Sequence, residues 1–223
     1  KRIYLFCNEE YGSAYLKVFQ ESARKLSDFD CYVVFSAKGL CGGYFRRLAK
    51  IIRHPIKHAY KYYRLIVLSC KGLKVLEVED VNQLDFVDAV FIGSIGFVCG
   101  FNQIFRTPVI DRFSSFINFH PSLLPYYRGA IPSYWVVKNK EPITGFTAHV
   151  VSEKIDAGEI VYQELVEVNR DISETELDCK IASVGSFYLS ECLKAIEIGK
   201  SFRRRCVSTQ YLQQVDYVSA VRE

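Results

Sequence analysis

The segment Ile117–Gly129 reads INFHPSLLPYYRG and places two polar side chains, Asn118 and His120, at the end of an apolar run. The letters before and around them, FSSFINF, are typical of a β-strand, in which alternate side chains project from the same face. Asn118 and His120 therefore share a face. The strand has to end at Pro121, because proline has no N–H for the ladder and restricts φ. We expect the pair at the carboxyl end of a strand, where open α/β sheets bind their ligands.

Short apolar runs alternate with helix-length segments over the first half of the chain. The predicted strands are Ile3–Cys7, Cys31–Phe35, Leu65–Leu68, Val75–Val78 and Ala89–Ile92. A helix is predicted over Tyr15–Lys25, because its apolar residues recur at helical spacing. Continuous apolar runs of this length are typical of strands buried on both faces. Their alternation with helices predicts a Rossmann-like, doubly wound and mostly parallel α/β sheet.

The second half of the chain is less regular. Its predicted elements are the strands Phe116–Phe119, Gly145–Ser152 and Gly158–Val168 and a short helix around Ile131–Val137. The last two strands have a short connection, which predicts that they pair antiparallel. Ser173 and Glu176 form a capping-box signature that opens a long helix, and Gly199 is suited to end it.

The apolar residues of this long helix form one stripe that should face the core. They are Leu177, Ile181, Val184, Tyr188, Cys192 and Ala195. We expect a single domain over residues 1–201 and a short tail over residues 202–223, in which Cys206–Leu212 has β-type character. That segment could pair with the edge of a second copy and form a homodimer.

The composition excludes several classes of protein. About half of the 223 residues are apolar and a quarter are charged, which is the balance of a globular domain. No stretch approaches the roughly 20 apolar residues that cross a bilayer, and the first residues turn polar too soon for a signal peptide, so we expect a cytoplasmic protein without a membrane partner. The net charge of +4 gives no indication of nucleic-acid binding. The eight cysteines form no CxxC pair or metal-ligand spacing, so we expect reduced thiols and no metal.

A third polar residue, Asp156, follows the strand-like stretch GFTAHVVS in a loop that contains Gly158. It is also at a strand end and could fold back toward His120. A carboxamide can bond a developing oxyanion, an imidazole can hold or pass a proton, and a carboxylate can orient that imidazole or raise its pKa. Asn118, His120 and Asp156 together are therefore suited to acyl transfer without a covalent enzyme intermediate.

Two motifs, NFHPSLLPYYRG and GFTAHVVSEKIDAG, closely resemble those of the formyltetrahydrofolate-dependent formyltransferases. The resemblance is close from about Ala89 to Val161 and is limited to the β/α pattern before that. It implies that residues 1–201 are a catalytic domain that uses formyltetrahydrofolate as the formyl donor and needs no metal. It also implies that Asn118 polarises the formyl carbonyl, that His120 assists the charge or the proton, and that Asp156 holds His120, a water or the folate.

The same resemblance suggests which residues hold the pterin of the donor. The segment SIGFVCG would form its wall, through Phe97, Val98 and Cys99. Backbone groups of Ser152 and Glu153 would complete its hydrogen bonds. His149 has two interpretations of about equal weight, a structural histidine or a supporting residue near the pterin.

The acceptor is inferred by comparison with three other branches of this family, because the sequence lacks a feature that is typical of each. Only some two dozen residues follow the last long helix, whereas methionyl-tRNA formyltransferases carry a further domain there. NEEYGSAY after the first strand lacks the glycine-rich G-x-G-S-N loop with which glycinamide ribonucleotide enzymes hold a phosphate. Folate-cleaving hydrolases usually have a preceding regulatory domain. A nucleotide-linked deoxyamino sugar therefore remains the preferred acceptor, with glycinamide ribonucleotide transfer, folate hydrolysis and a catalytically idle binding protein as alternatives.

Aromatic and basic residues after the first motif are candidates for binding the sugar or its nucleotide. They are Tyr126, Tyr127, Arg128 and Trp135. The basic segment 45–64 could attract a diphosphate, although a charged outer helix face is the preferred interpretation.

Overall fold

The computed structural model describes residues 1–8, 13–36, 73–83 and 91–200. Its helices and strands are β1 (Arg2–Cys7), α1 (Ser13–Ala23), β2 (Asp30–Ser36), β3 (Lys74–Val78), β4 (Ser94–Cys99), α2 (Thr107–Ile110), β5 (Phe113–His120), α3 (Pro132–Lys138), β6 (Ile143–Val150), β7 (Ile160–Glu167) and α4 (Glu174–Glu197). The basic segment 45–64, the predicted strand Leu65–Leu68 and the predicted tail strand lie outside the described residues. The domain boundary at residue 201 therefore stays a prediction.

Within the described residues, seven strands form one sheet in the order β3-β2-β1-β4-β5-β6-β7. β1 to β5 are parallel to their neighbours, whereas β6 is antiparallel to both β5 and β7. The order 3-2-1-4-5-6 is that of a doubly wound dinucleotide-binding fold. The predicted fold, mostly parallel with antiparallel strands in the second half, is confirmed.

The sheet is buried on both faces, as the apolar run of β1 predicts. Ile3 and Leu5 belong to a core cluster shared with α1 and α4, which we call the helical face. Tyr4 and Phe6 belong to a second cluster, which is rich in phenylalanine and which we call the aromatic face. Residues 3–7 are fully buried. The central strand therefore contributes to two separate hydrophobic cores, one on each face of the sheet, because its successive side chains alternate.

The predicted strand Ala89–Ile92 is wrong at Phe91 and Ile92, the two of its residues that the structure describes. Phe91 and Ile92 are outside any strand, Ile92 is 62% exposed, and Gly93 turns the chain with φ +68°. The strand is instead Ser94–Cys99. Its internal Gly96 made it look like a loop, but a Cβ there would lie 2.6 Å from the Phe116 ring, so the glycine is needed for close packing.

The long helix begins and ends as predicted. Ser173 and Glu176 form both halves of the capping box. At the other end, Gly199 N–H bonds to Ile196 O at 3.0 Å and Lys200 N–H bonds to Ala195 O at 2.8 Å, which is the Schellman pattern. Within the described ranges, no helix combines the length and the apolar character that a bilayer crossing requires.

Candidate active site

A cleft of about 670 Å³ opens at the carboxyl edge of the sheet. Residues at or just beyond the ends of β1, β4 and β5 line it, including Asn8, Val98 and the run 118–121. β1 and β4 are adjacent in the sheet although α1, β2 and β3 lie between them in sequence, so the strand order reverses between them. Open α/β sheets bind ligands at this reversal.

The pairing of β5 with β6 brings a second histidine to the site. β5 carries Asn118 and His120, and the antiparallel register sets Asn118 directly opposite His149 of β6. Asn118 Nδ2 lies 2.9 Å from His149 Nε2. His149 is therefore a neighbour of the predicted pair, and its supporting interpretation has a structural basis.

Asp156 folds back from the loop after β6 onto both β5 residues. Its Oδ1 accepts a hydrogen bond from Asn118 Nδ2 at 3.2 Å, and its Oδ2 lies 3.5 Å from His120 Nδ1. The Gly129 N–H donates to Oδ2 at 2.8 Å. The structure thus brings together Asn118, His120 and Asp156, as the sequence predicts.

Two local features hold Asp156 in this position. Its φ of +47° is in the left-handed region, which aspartate adopts more readily than most residues. Gly158 then lets the chain pass close to β6, since a Cβ there would lie 1.7 Å from the Val150 carbonyl oxygen. The Val150 N–H donates to Glu159 O at 2.9 Å and closes the loop.

The hydrogen bonds of His120 fix its protonated nitrogen. Nε2 lies 2.9 Å from the Tyr127 carbonyl oxygen, which can only accept, so Nε2 carries the hydrogen. Burial lowers the pKa of His120, and Asp156 and the Tyr127 carbonyl oppose that effect without cancelling it. The neutral ring therefore turns an unprotonated Nδ1 toward Asp156.

Asp156 is a half-buried carboxylate that remains ionised. Burial by itself raises its pKa, but the His149 ring, whose Nε2 lies 3.4 Å from Oδ1, the His120 ring and the Gly129 N–H together outweigh burial and lower the pKa. A negative charge 3.5 Å from Nδ1 stabilises a proton that arrives on His120. The arrangement can accept one proton and hold it.

The orientation of Asn118 follows from two acceptors. His149 Nδ1 lies 2.9 Å from the Val150 carbonyl oxygen and donates to it, which leaves Nε2 to accept from the Asn118 amide. The second amide hydrogen points to Asp156. An acyl oxygen in the cleft would draw a hydrogen from the longer, weaker bond of 3.2 Å to Asp156.

The turn after His120 is held by one threonine. Thr147 Oγ1 donates to Ser122 O at 2.6 Å and accepts from Leu124 N–H at 3.1 Å. Gln163 Nε2 bonds to both Thr147 Oγ1 and Leu124 O. The Leu124–Pro125 peptide bond is cis. This network fixes the loop whose Tyr127 carbonyl orients His120.

Only some of the residues predicted to hold the donor line the cleft. Val98, Ser152 and Glu153 line the cleft. Phe97 and Cys99 are fully buried in the helical-face core and are not among the lining residues, because alternate side chains of a strand point to opposite faces. Their side chains therefore cannot form the wall that the sequence suggested, and any contact they make with a donor would come from their backbone.

The four residues predicted to bind the acceptor do not line the cleft. Tyr126 and Trp135 are each 42% exposed, and Arg128 is exposed. The Tyr127 hydroxyl bonds to Glu141 and accepts from Asn139 at 3.0 Å. A substrate role for these four side chains stays a prediction.

Several lining residues were not identified from the sequence. They are Phe101, Gln103, Ile104 and Phe105 after β4, and Ser133, Glu174 and Asp178 at the starts of α3 and α4. The only sequence feature that could have identified the first group is the apolar content of the segment FNQIF, which follows the end of a strand. The second group had no signal, because a polar residue in the first turns of a helix is usually solvated. Within the described part of the chain, no three His, Cys, Asp or Glu side chains are grouped to hold a metal ion.

Comparison with known proteins agrees with the motifs. The profile of the family described as Formyl transferase matches residues 20–193, a span that includes Asn118, His120 and Asp156. The methionyl-tRNA formyltransferase of Halothermothrix orenii is 32% identical over 142 residues, which cover 60% of this chain and 43% of that protein. That of Kosmotoga olearia is 32% identical over 154 residues, covering 68% and 47%. The chain spans less than half the length of these curated relatives.

Solved structures share the fold. A 4-N formyltransferase from Francisella tularensis aligns with a TM-score of 0.63 at 22% identity, covering 90% of this chain and 70% of that one. Glycinamide ribonucleotide transformylase 1 from Symbiobacterium toebii aligns with a TM-score of 0.61 at 17% identity, covering 91% and 92%. A sugar N-formyltransferase from Shewanella sp. aligns with a TM-score of 0.61 at 18% identity, covering 93% and 74%. Since the family profile spans most of the sequence, the chain belongs to the formyl transferase family.

Proposed function

We propose that this protein transfers a formyl group from formyltetrahydrofolate to a primary amine. The observation that carries the proposal is the convergence of Asn118, His120 and Asp156 in one cleft, with a neutral imidazole beside an ionised carboxylate. This set of groups can stabilise an oxyanion and take up a proton in the same step.

The cleft fits the folate donor on its apolar side. The side chains there are Val98, Phe101, Ile104, Phe105 and Val151. Apolar and aromatic walls of this kind suit a flat heterocycle, and the backbone of Ser152 and Glu153 could supply the few polar contacts that orient it. Bound formyltetrahydrofolate would supply an activated formyl group near Asn118.

The protein groups have separate tasks in the proposed reaction. As the amine nitrogen bonds to the formyl carbon, Asn118 donates a hydrogen bond to the formyl oxygen, where negative charge develops. His120 accepts at Nδ1 the proton that the amine loses, and Asp156 stabilises the resulting imidazolium. The bond between the formyl carbon and the folate nitrogen then breaks, and His120 returns the proton to that nitrogen. One C–N bond forms, one breaks, and the proton count balances.

For the acceptor, we propose a nucleotide-linked deoxyamino sugar. The support is the R-G-x-x-P segment at Arg128 to Pro132, which resembles the sugar and tRNA branches, and the exposed aromatic residues Tyr126, Tyr134 and Trp135, which are close in sequence to cleft-lining residues. The second candidate is methionyl-tRNA, because curated relatives about one-third identical to this chain are methionyl-tRNA formyltransferases.

An acceptor screen tests the proposal. Purified protein is incubated with formyltetrahydrofolate and, separately, nucleotide-linked amino sugars, glycinamide ribonucleotide or methionyl-tRNA, and products are scored by mass. We expect one formyl group on an amino sugar. Transfer only to another acceptor would replace the sugar, folate turnover without any amine would indicate a hydrolase, and no turnover at all would contradict formyl transfer.

A further inference from the structure

The two sides of the cleft differ in chemistry. Phe101 and Phe105 pack on the aromatic face of the sheet. Leu177 of α4 and Val136 of α3 pack on the helical face, so the lining residues at the starts of these helices belong to the other side. The cleft therefore crosses the edge of the sheet from an apolar side to a polar side, with Asn118, His120 and Asp156 between the two.

A hydrogen-bonded pair stands on the polar side. Ser133 of α3 donates from Oγ to Oδ1 of Asp178 of α4, and both residues line the cleft. Ser133 is only 2% exposed, whereas Asp178 is partly exposed. Asp178 Oδ2 has no hydrogen-bond partner among the described residues. One carboxylate oxygen is thus fixed by a buried hydroxyl, and the other is available to a ligand.

The chemistry of this pair limits what it can bind. A carboxylate only accepts hydrogen bonds, so its ligand must present O–H or N–H donors. Glu174 also lines this side, and the two acidic groups disfavour a phosphate there. Burial raises the pKa of Asp178, and the hydrogen bond from the Ser133 hydroxyl opposes that effect.

We propose that Asp178 binds the acceptor by accepting a hydrogen bond from a hydroxyl or amine on its ring, and that Ser133 is a positioning residue for Asp178. The inference rests on the proposed function and deepens it. The acceptor is then a ring amine that carries hydroxyl groups. Any phosphate group on it binds away from the side of the cleft formed by α3 and α4.

Steady-state kinetics of Asp178→Asn and Ser133→Ala test this role. Glu191→Gln is the matched control, because Glu191 is an exposed carboxylate on the same helix that does not line the cleft. The acceptor is whichever panel compound the wild-type protein formylates. We expect Asp178→Asn to raise the KM for that acceptor about tenfold, as for a lost hydrogen bond to a charged group, with the KM for formyltetrahydrofolate unchanged. Ser133→Ala should raise the acceptor KM by a smaller factor, and Glu191→Gln should change neither constant.

The outcomes separate this inference from the proposed function. An amino sugar that is formylated with equal KM by the wild-type protein and Asp178→Asn would refute the role of Asp178 and leave the proposed function intact. A lower Tm in that variant with an unchanged acceptor KM would identify the pair as a structural link between helices. Turnover only of methionyl-tRNA or glycinamide ribonucleotide would refute the sugar, and the Asp178 comparison would then be made on that acceptor. Absence of turnover with every acceptor overturns both.

Discussion

At the scale of single residues, main-chain carbonyl groups determine the chemistry of both imidazoles. The Tyr127 carbonyl takes the Nε2 hydrogen of His120, and the Val150 carbonyl takes the Nδ1 hydrogen of His149. The first arrangement leaves Nδ1 of His120 to accept a proton, and the second leaves Nε2 of His149 to accept from Asn118. Two histidines on neighbouring strands thereby perform different tasks.

The pKa of His120 provides the first prediction. Because burial outweighs the neighbouring carboxylate, His120 should titrate below the ordinary value of about 6.5. Asp156 favours the protonated ring, so Asp156→Asn should lower the pKa of His120 further. NMR titration of the imidazole in both proteins measures these shifts. A pKa above the ordinary value in the wild-type protein, or a rise in the variant, would contradict the assignment.

The linked effect on stability has a definite sign. The lowered pKa means that the unfolded chain protonates His120 before the folded protein does. The contribution of His120 to the free energy of unfolding is therefore fully present above the pKa that this residue has in the unfolded chain. It is lost as pH falls through that value toward the pKa of His120 in the folded protein.

His149 provides the second prediction. Replacing it with leucine removes the acceptor that orients the Asn118 amide, and misplacement of a reacting group can cost about 10²-fold in rate. We expect kcat to fall by about that factor, with smaller changes in KM. His149→Gln, which keeps an acceptor, should recover part of the rate. Equal rates for the leucine variant and the wild-type protein would make His149 a core residue only.

Some of these residues could be predicted from the sequence, and others could not. Asn118 and His120 follow from the two-residue period of a strand, and Asp156 from a loop with a nearby glycine. The role of His149 was undecided, since it depends on the β5–β6 register, which the sequence does not reveal. Asp178 could not be found, because its neighbour Ser133 is 45 residues away along the chain.

At the scale of secondary-structure elements, glycines decide how closely the elements approach. The prediction placed a strand at Ala89–Ile92 and none at β4, where Gly96 lowers the strand propensity of the sequence. The close stacking of Phe113 and Phe116, with ring centroids 4.1 Å apart, occupies the space that a side chain at position 96 would need. Tertiary packing therefore overrides the low strand propensity of glycine.

The contact between α1 and α4 provides the third prediction. A Cβ at Gly185 would lie 2.1 Å from the Tyr15 hydroxyl and 2.7 Å from the Phe146 ring. Gly185→Ala should therefore destabilise the protein by about 1–3 kcal/mol through overpacking, although alanine is the better helix former.

Urea unfolding measures this effect, and Ser183→Ala is its control. Ser183 is an exposed residue of the same helix, two positions away, where alanine should be neutral or slightly stabilising. Stabilisation in both variants would show that the two helices have room to adjust.

At the scale of the whole molecule, the cleft exists because one sheet separates two different cores. Its aromatic face gives an apolar wall, its helical face brings Ser133 and Asp178, and the carboxyl edge holds the three central residues. The strand pattern and the Asn118 and His120 motif were enough to predict this architecture. The division into two sides was not predictable, because it depends on how α3 and α4 pack against the sheet.

The turnover number of Asn118→Ala tests the central claim most directly. With the acceptor that the wild-type protein formylates, kcat should fall about 10²–10³-fold, as for the loss of one oxyanion donor. Circular dichroism should show an unchanged fold, and Asn169→Ala, at an exposed position after β7, should retain full activity. A kcat for Asn118→Ala within a factor of about two of the wild-type value would contradict the claim that Asn118 acts with His120 and Asp156 on the formyl carbon.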